Sequence, residues 1–502
     1  MTNANLQSLH PGRIVPFLVV AVMTSMPILL RAQSDPSAAT PPASVPNAGR
    51  SSSDPSPQYP AKKEAATSAY AAPQPGAVGA QPVYPGLGPS SPPLQTSVGP
   101  YTLRFYGTVL FNASTSDSDE VGQDIPLWPL PGAIPVTFPD GSKEPAGHIH
   151  DTIFSARQSV FGFTITRTKP LASGWTPSAL VEFDFFGTQP VDTLLPQGRI
   201  LNQPRLRLAY FQIAKGNWKI LAGQDRIILS PFDPISLSHV AVPLGYTAGD
   251  LWGWFPQVRV DYSRKFGKTS VLLQGGVLRP SFGDPRLNDL PVPGSSVNAV
   301  FSGYGERSGW PFYQGHISVS HPWRGSAVTW GAGVHYGKER VGVNHTINSW
   351  AAAFDADVPI VSRLTFRGEG YFGSNLVPFG GGILQGVAAI PANPPFTEIR
   401  PIHDAGGWAE FTIPATLDYK NVFYVGGGTD DPTDADLLPG TSRSKNSFVW
   451  ASYFHKLTNQ ITLAFEWSNW QFLTKGFVNN VPGPKGPSGR GNVFNLALAY
   501  QF

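Results

Sequence analysis

Charged side chains recur at every second position of several apolar segments of the chain. In "PRLRLAYFQI", Arg205 and Arg207 alternate with Leu206 and Leu208. Successive side chains of a β-strand point to opposite faces, so this spacing predicts a strand with one apolar and one charged face. An arginine that faces the middle of a lipid bilayer costs roughly 2–4 kcal/mol. If the apolar faces contact lipid, the charged faces must therefore line water.

The charged faces of all these segments together provide a basic set and an acidic set. The basic residues are Arg104, Arg205, Arg207, Arg259, Arg363 and Arg367. The acidic residues are Glu182, Asp184, Asp261, Glu369, Glu410 and Glu466. Because a guanidinium binds a carboxylate through two parallel hydrogen bonds, the basic set predicts a preference for anionic, carboxylate-bearing solutes. The two sets could instead pair with each other and only keep an interior hydrated, and the sequence leaves both interpretations open.

Sixteen segments have the length and the alternation expected of such strands. They are 101–113, 154–168, 176–186, 203–213, 217–224, 254–265, 269–280, 311–321, 325–337, 346–357, 361–373, 405–414, 421–428, 444–456, 459–470 and 491–502. Long connections follow the odd-numbered strands and short ones follow the even-numbered strands, although "KERVGVNH" after the ninth is the weakest member of the long set. Long loops at one end and short turns at the other are typical of a membrane barrel. The sequence therefore predicts a sixteen-stranded, antiparallel, up-and-down transmembrane β-barrel over 101–502.

The composition agrees with a barrel and argues against other classes. Charged residues make up 14% of the chain and aromatic residues 12%, while the mean hydropathy of −0.11 is too low for a helical membrane protein. A net charge of +3 gives no reason to expect a nucleic-acid partner. The chain contains no cysteine, which excludes disulfides and thiolate metal sites. We expect neither a metal nor a cofactor.

The N-terminal region predicts export. Arg13 precedes an apolar run from Ile14 to Leu30, and the small residue Ala32 follows, so residues 1–32 are predicted to be a signal peptide cleaved near Ala32. A retained membrane anchor is the alternative, but prolines interrupt the run. Residues 33–100 are rich in Pro, Ala and Ser and are predicted to be a disordered periplasmic linker. This linker could serve as a spacer or bind peptidoglycan or another partner.

One long connection differs from the others in its composition. The segment "DRIILSPFDPISLSHVAVPLGYTAGDLWGW" begins at Asp225 and is apolar in places. An apolar loop is better suited to folding into the barrel than to lying in solvent. We predict that 225–253 is a constriction loop, although it could pack at a subunit contact instead. Its candidate site residues are Asp225, Arg226, Asp233, His239 and Asp250.

Six segments of the N-terminal half resemble the successive strands of the DcaP-like outer-membrane porins. They are "LRFYGTVLFNASTSDSD", "FSARQSVFGFTI", "ALVEFDFFG", "RLRLAYFQI", "ILAGQDRIILSPFDP" and "FPQVRVDYS". The resemblance implies a homotrimeric, sixteen-stranded porin that passes small, mostly negatively charged solutes such as dicarboxylates. It also implies that the C-terminal "LAYQF", with Tyr500 and Phe502, is the signal read by the outer-membrane barrel assembly machinery. The chain departs from the family at Val160, where the family usually has arginine.

The sequence thus predicts a porin in the outer membrane of a Gram-negative-type bacterium, in contact with membrane lipid and lipopolysaccharide. A structural or adhesive barrel that binds a surface through its loops is the alternative. An enzyme is a weaker candidate. His148 and His150 have the close spacing of metal ligands, and His316 shares a strand face with Ser318 and Ser320, but no third catalytic partner is evident.

Overall fold

The computed structural model describes residues 94–122, 124–187, 202–282, 302–324, 326–390, 398–416, 418–438, 440, 442–478, 481–482 and 486–502. The predicted signal peptide and most of the predicted linker lie outside these residues. The helices in the described part are the 3-10 turns Ala146–His148, Glu306–Ser308 and Val377–Phe379 and the α-helical turn Gly381–Leu384. None of them has the length and apolar character needed to cross a membrane.

Sixteen strands form a closed antiparallel ring, as predicted. They are β1 (Tyr101–Ser116), β2 (Asp151–Ser155 and Val160–Arg167), β3 (Thr176–Asp184), β4 (Arg205–Lys215), β5 (Trp218–Arg226), β6 (Trp254–Phe266), β7 (Thr269–Leu278), β8 (Phe312–Trp323), β9 (Ser326–Arg340), β10 (Thr346–Val361), β11 (Leu364–Ser374), β12 (His403–Pro414), β13 (Asn421–Asp430), β14 (Arg443–Lys456), β15 (Ile461–Thr474) and β16 (Ser488–Gln501). Each strand pairs with its neighbours in the chain. The ring closes where β16 pairs with β1, from Thr108 opposite Gln501 to Ser116 opposite Val493.

The alternation in the sequence determines which side chains face outward. In β16, Phe494, Leu498 and Tyr500 are exposed on the outer surface, whereas Ala497 and Ala499 are fully buried inside. The other strands repeat this pattern, with exposed aromatic and aliphatic residues between buried ones. An exposed apolar wall is stable in a hydrocarbon environment. The closed ring is stable there as well, because it leaves no strand edge with unpaired backbone groups.

The connections differ in length between the two ends of the barrel. The short-turn end consists of 168–175, 216–217, 267–268, 324–325, 362–363, 415–420 and 457–460, and the long-loop end carries the remaining connections. Short strand pairs within the long loops are Glu120–Val121 with Trp128–Pro129, Pro135–Thr137 with Lys143–Pro145, Val387–Ile390 with Glu398–Pro401, and Phe477–Val478 with Val481–Pro482. The prediction of a long loop after the ninth strand is wrong, because β9 continues to Arg340 and leaves only 341–345 before β10.

The last residues of the predicted disordered linker form a strand. Leu94–Val98 forms a strand that pairs with β1, with Leu94 opposite Phe105 and Val98 opposite Tyr101. Phe502 exchanges two backbone hydrogen bonds with Gly107, both of 3.2 Å, just beyond this pairing. The N-terminal strand therefore continues along the edge of β1 where β16 ends.

Candidate functional site: the barrel lumen

The long connection between β5 and β6 lies inside the barrel. Leu229, Leu237, Leu244 and Ala248 on this segment are fully buried, although it contains no strand or helix of its own. We call residues 227–253 the luminal loop. A segment without secondary structure has many backbone groups that need hydrogen-bond partners, and the barrel wall provides several of them.

Two side chains on the β8–β11 side of the wall bind the first part of the luminal loop. The amide oxygen of Gln314 accepts a hydrogen bond from the backbone N–H of Ile228 at 2.8 Å. The carboxylate of Glu369 accepts a hydrogen bond from the backbone N–H of Phe232 at 2.7 Å and another from the Ser230 hydroxyl. These contacts satisfy backbone donors that would otherwise be buried without a partner.

The middle of the luminal loop is held by other parts of the wall. Glu410 on β12 accepts a hydrogen bond from the N–H of Ile235 at 2.9 Å. Gln158, in the break of β2, accepts hydrogen bonds from the N–H groups of Val240 at 2.9 Å and Ala241 at 3.0 Å, and it donates one to the carbonyl of Ser238 at 2.7 Å. Because β2, β8 and β12 lie on different sides of the ring, the luminal loop crosses the lumen.

Glycines in the wall allow the luminal loop to approach closely. A Cβ atom on Gly333 of β9 would lie 2.2 Å from the carbonyl oxygen of Leu229, which excludes any larger residue without displacing the loop. Within the loop, Gly249 has a φ of +114° and packs against the backbone of Gly407 on β12. A residue with a side chain would be strained in this conformation.

The luminal loop also takes part in four apolar clusters, one of which joins Ala241 and Val242 to Ile125 of the first long loop. Ile235 and Leu237 pack with Leu110 and Tyr424, and Phe232 and Leu244 pack with a group of tryptophans. The remaining cluster joins the start and end of the loop to the β8–β11 side and contains Ile227, Ile228, Leu229, Leu251, Phe255, Leu278, Phe312, Ala351, Ala353, Tyr371, Leu376 and Phe379. The lumen is therefore less polar around the loop than the sequence predicts.

The predicted basic residues of β4 form ion pairs with the acids of β3. Arg205 donates to Asp184 at 2.7 Å. Arg207 donates to Glu182 at 2.8 Å and to Asp184 at 3.0 Å. Both arginines also donate to backbone carbonyls of the luminal loop, at Ala241 and Val240 respectively. They therefore position the loop as well as neutralising the neighbouring carboxylates.

The other predicted basic residues divide into paired luminal ones and two near the short-turn end. The Arg259 guanidinium lies 2.9 Å from the carboxylate of Asp225 and 3.0 Å from that of Asp261. Two more ion pairs join Arg226 to Asp233 and Arg367 to Asp357. Arg104 donates to Gln95 on the N-terminal strand at 3.1 Å. Arg363 was predicted to line the lumen, but it is exposed in the turn between β10 and β11, because β11 begins only at Leu364.

Two predicted residues of the luminal loop, His239 and Asp250, and the wall residue Glu466 are deeply buried. The imidazole Nε2 of His239 is 3.5 Å from Glu466, and burial lowers the pKa of His239 to about 4. Asp250 is 1% exposed, and burial raises its pKa well above the usual value. Neutral forms of these side chains are favoured because charges lose hydration in this environment.

Partly exposed charged side chains mark where the interior is most accessible. The side chains of Arg226 and Arg205 are 32% and 26% exposed, compared with 7% for Arg207. The Arg205 and Arg207 guanidinium groups lie 4.9 and 4.6 Å from the ring centre of Trp254. We call this region, at the long-loop ends of β4 to β6, the arginine–tryptophan vestibule.

Sequence reasoning missed Gln158 and Gln314 as anchors of the luminal loop, and Trp254 as a neighbour of Arg205 and Arg207. Gln314 lies within β8 and Gln158 lies in the break of β2, so the alternation within a strand does not distinguish either anchor from a lining residue. The histidines that suggested an enzyme or a metal site lie on different elements, the first long loop and β8. His148 and His150 are exposed, and His316 pairs with Asp355 at 2.7 Å. Within the described ranges, no three potential ligands are placed to hold a metal ion.

This architecture defines the chain as a barrel of the sixteen-stranded porin type. Neither a family model nor a curated protein matches the sequence. Among solved structures, the outer membrane channel DcaP of Acinetobacter baumannii has a TM-score of 0.58 at 14% identity, over 81% of this chain and 99% of that one. An anion-selective porin from Comamonas acidovorans has a TM-score of 0.47 at 11% identity, over 80% and 100%. The resemblance to DcaP inferred from the sequence is confirmed for the fold.

Proposed function

We propose that this chain is an outer-membrane porin that allows small hydrophilic solutes to diffuse passively, with a preference for anionic carboxylates. The observation that carries the proposal is a closed ring with an apolar outer wall and a charged inner wall. The route passes the arginine–tryptophan vestibule and continues beside the luminal loop. The short-turn end faces the periplasm, the side on which outer-membrane barrels have their short turns.

Planar-bilayer recording tests the proposal with the full chain. We expect discrete conductance steps and a reversal potential in a salt gradient that indicates anion preference. In the double variant Arg205→Ala/Arg207→Ala, Asp184 and Glu182 lose their paired cations, so the preference should move toward cations. Arg363→Ala removes a cation from a turn and is the matched control. An absence of steps would reject the porin, and an unchanged reversal potential in the double variant would reject the arginine-based preference.

We also propose that the porin is a homotrimer with its contact on the outer surface of β1 to β3. Phenylalanine rings pack against one another there, with centroids of Phe105 and Phe163 4.8 Å apart and those of Phe105 and Phe502 5.2 Å apart. Light scattering of the detergent-solubilised chain measures the oligomer. A monomer under conditions that preserve the barrel would contradict this assignment.

A structural or adhesive barrel is the second candidate, and the course of the luminal loop across the lumen favours it. A filled barrel would present its long loops to a surface without conducting. The two candidates differ in the bilayer experiment, because an adhesive barrel gives no steps in the unmodified chain at any voltage.

A further inference from the structure

The short-turn end of the barrel is strongly basic. The residues in these turns and at the adjoining strand ends include Arg167, Lys169, Lys215, Lys265, Lys268, Arg324, Arg363, Lys420 and Lys456. The only acidic residue within the turns is Asp418. We call this set of cations the basic rim. The net charge of the whole chain is only +3, so the basic rim reflects where the charges are placed rather than their total number.

The basic rim is accessible and mostly uncompensated. Lys268, Arg324 and Arg363 are exposed, and they form no ion pair within the part of the chain that the structure describes. Arg324 donates to the carbonyl of Ile360 at 3.0 Å, which fixes its position without neutralising its charge. The ammonium group of Lys420 lies 3.9 Å from the carboxylate of Asp418, but both side chains are highly exposed and the ion pair is therefore weak.

Aromatic residues beside the rim indicate its depth in a membrane. Trp218, Phe266 and Trp323 on the outer surface are 51%, 56% and 48% exposed. The guanidinium of Arg324 lies 5.5 Å from the Trp323 ring centre. Aromatic residues of membrane proteins gather at the level of the lipid headgroups. The cations beside these rings therefore lie at that level, where phosphate groups are within reach.

The opposite end of the barrel has a different charge pattern. The first long loop carries Asp117, Asp119, Glu120 and Asp140, while Lys143 and Arg307 lie in the long loops as well. Each basic residue near an anionic membrane surface adds to the attraction between the protein and that surface. A rim with many cations and one acid therefore favours negatively charged lipid. A mixed or acidic loop end has no such preference.

We propose that the basic rim binds anionic phospholipid headgroups of the leaflet at the short-turn end. Lys268, Arg324 and Arg363 lie in turns after β6, β8 and β10, outside the β1 to β3 surface assigned to subunit contact. They are spread around the outer circumference beside lipid-facing aromatics. This distribution suits a ring of individual lipid headgroups better than one polymer chain bound at a single patch.

Spin-labelled lipids test the proposal in bilayers that contain the full chain. The measurement is the association of labelled phosphatidylglycerol with the protein relative to labelled phosphatidylcholine. We expect the ratio to be about five or more at low salt and to fall as salt screens the charges. The triple variant Lys268→Gln/Arg324→Gln/Arg363→Gln should lower the ratio by at least about fivefold, which is roughly the effect of one basic residue near an anionic surface.

Two control variants separate charge from structure. Lys268→Arg/Arg324→Lys/Arg363→Lys preserves the charges and should retain the ratio, as should Lys143→Gln/Arg307→Gln at the long-loop end. A ratio of one for the unmodified protein, or an equal loss in the long-loop control, would overturn the proposal. So would loss of peptidoglycan binding in the triple variant with an unchanged lipid ratio. Conductance is recorded separately, so failure of the porin proposal leaves this result readable.

Discussion

Replacing Gln158 with leucine should release the middle of the luminal loop. The side chain is 1% exposed and forms three hydrogen bonds with the loop, to Ser238, Val240 and Ala241. Leucine has a similar size but neither donates nor accepts hydrogen bonds. The Gln158→Leu variant would therefore leave two N–H groups and one carbonyl without this partner while preserving most of the packing.

The size of the effect follows from the cost of a buried polar group without a partner. Each such group costs about 1–3 kcal/mol, which corresponds to a factor of about 5–150 in an opening equilibrium. The carbonyls of Val240 and Ala241 still accept hydrogen bonds from Arg207 and Arg205, so we expect local opening rather than unfolding. Hydrogen–deuterium exchange at the Val240 and Ala241 amides should accelerate by at least that factor, because more than one group loses its partner.

Mass spectrometry of the full chain in micelles can measure this exchange by peptide. Gln158→Glu is the matched control, because a carboxylate still accepts from Val240 and Ala241 but cannot donate to Ser238. Peptides from β14 report whether the barrel itself is intact. Unchanged exchange at Val240 and Ala241 in Gln158→Leu, with β14 protected, would refute the anchoring role of Gln158. Equal acceleration in Gln158→Glu would refute its role as an acceptor.

Three further predictions concern the loop, its histidine and the C-terminus. The Gly333→Val variant should displace the carbonyl of Leu229 from the wall and raise the single-channel conductance. The control Gly275→Val should leave the conductance unchanged, because a Cβ at Gly275 meets nothing within 4 Å. Equal conductance in the two variants would contradict the close approach of the luminal loop to Gly333. Burial lowers the pKa of His239 from 6.5 to about 4, so the unfolded chain binds the proton more tightly than the folded chain. The free energy of unfolding should therefore fall by up to about 3 kcal/mol as the pH drops from 6.5 to 4. Denaturation midpoints of the unmodified chain and His239→Gln measure this, and parallel pH profiles would count against it. Deleting Phe502 removes its pairing with β1 and should reduce the inserted fraction in outer-membrane preparations without changing the conductance of inserted molecules; normal insertion would contradict its role in assembly.

The sequence by itself determined the barrel and the number of its strands. The period-two alternation in β4 and β16 reflects a local property of strands, since neighbouring side chains always point to opposite faces. Most loop lengths are equally direct, because the positions of turns can be read from glycine, proline and polar clusters, but the connection after β9 is shorter than predicted because β9 continues to Arg340. The errors lie where strands end, as at Arg363, because the last residues of a strand depend on their partners.

The sequence predicted that 225–253 enters the barrel, but only the tertiary structure decided between this position and a subunit contact and showed how the luminal loop is held. The pairing of Arg207 with Glu182 and Asp184 depends on the register between β3 and β4, which charge spacing within one strand does not specify. The anchors Gln158 and Gln314 lie far from the luminal loop in sequence and meet it only when the ring closes. The sequence could therefore predict a charged interior, but the partner of each charge depends on contacts between distant strands.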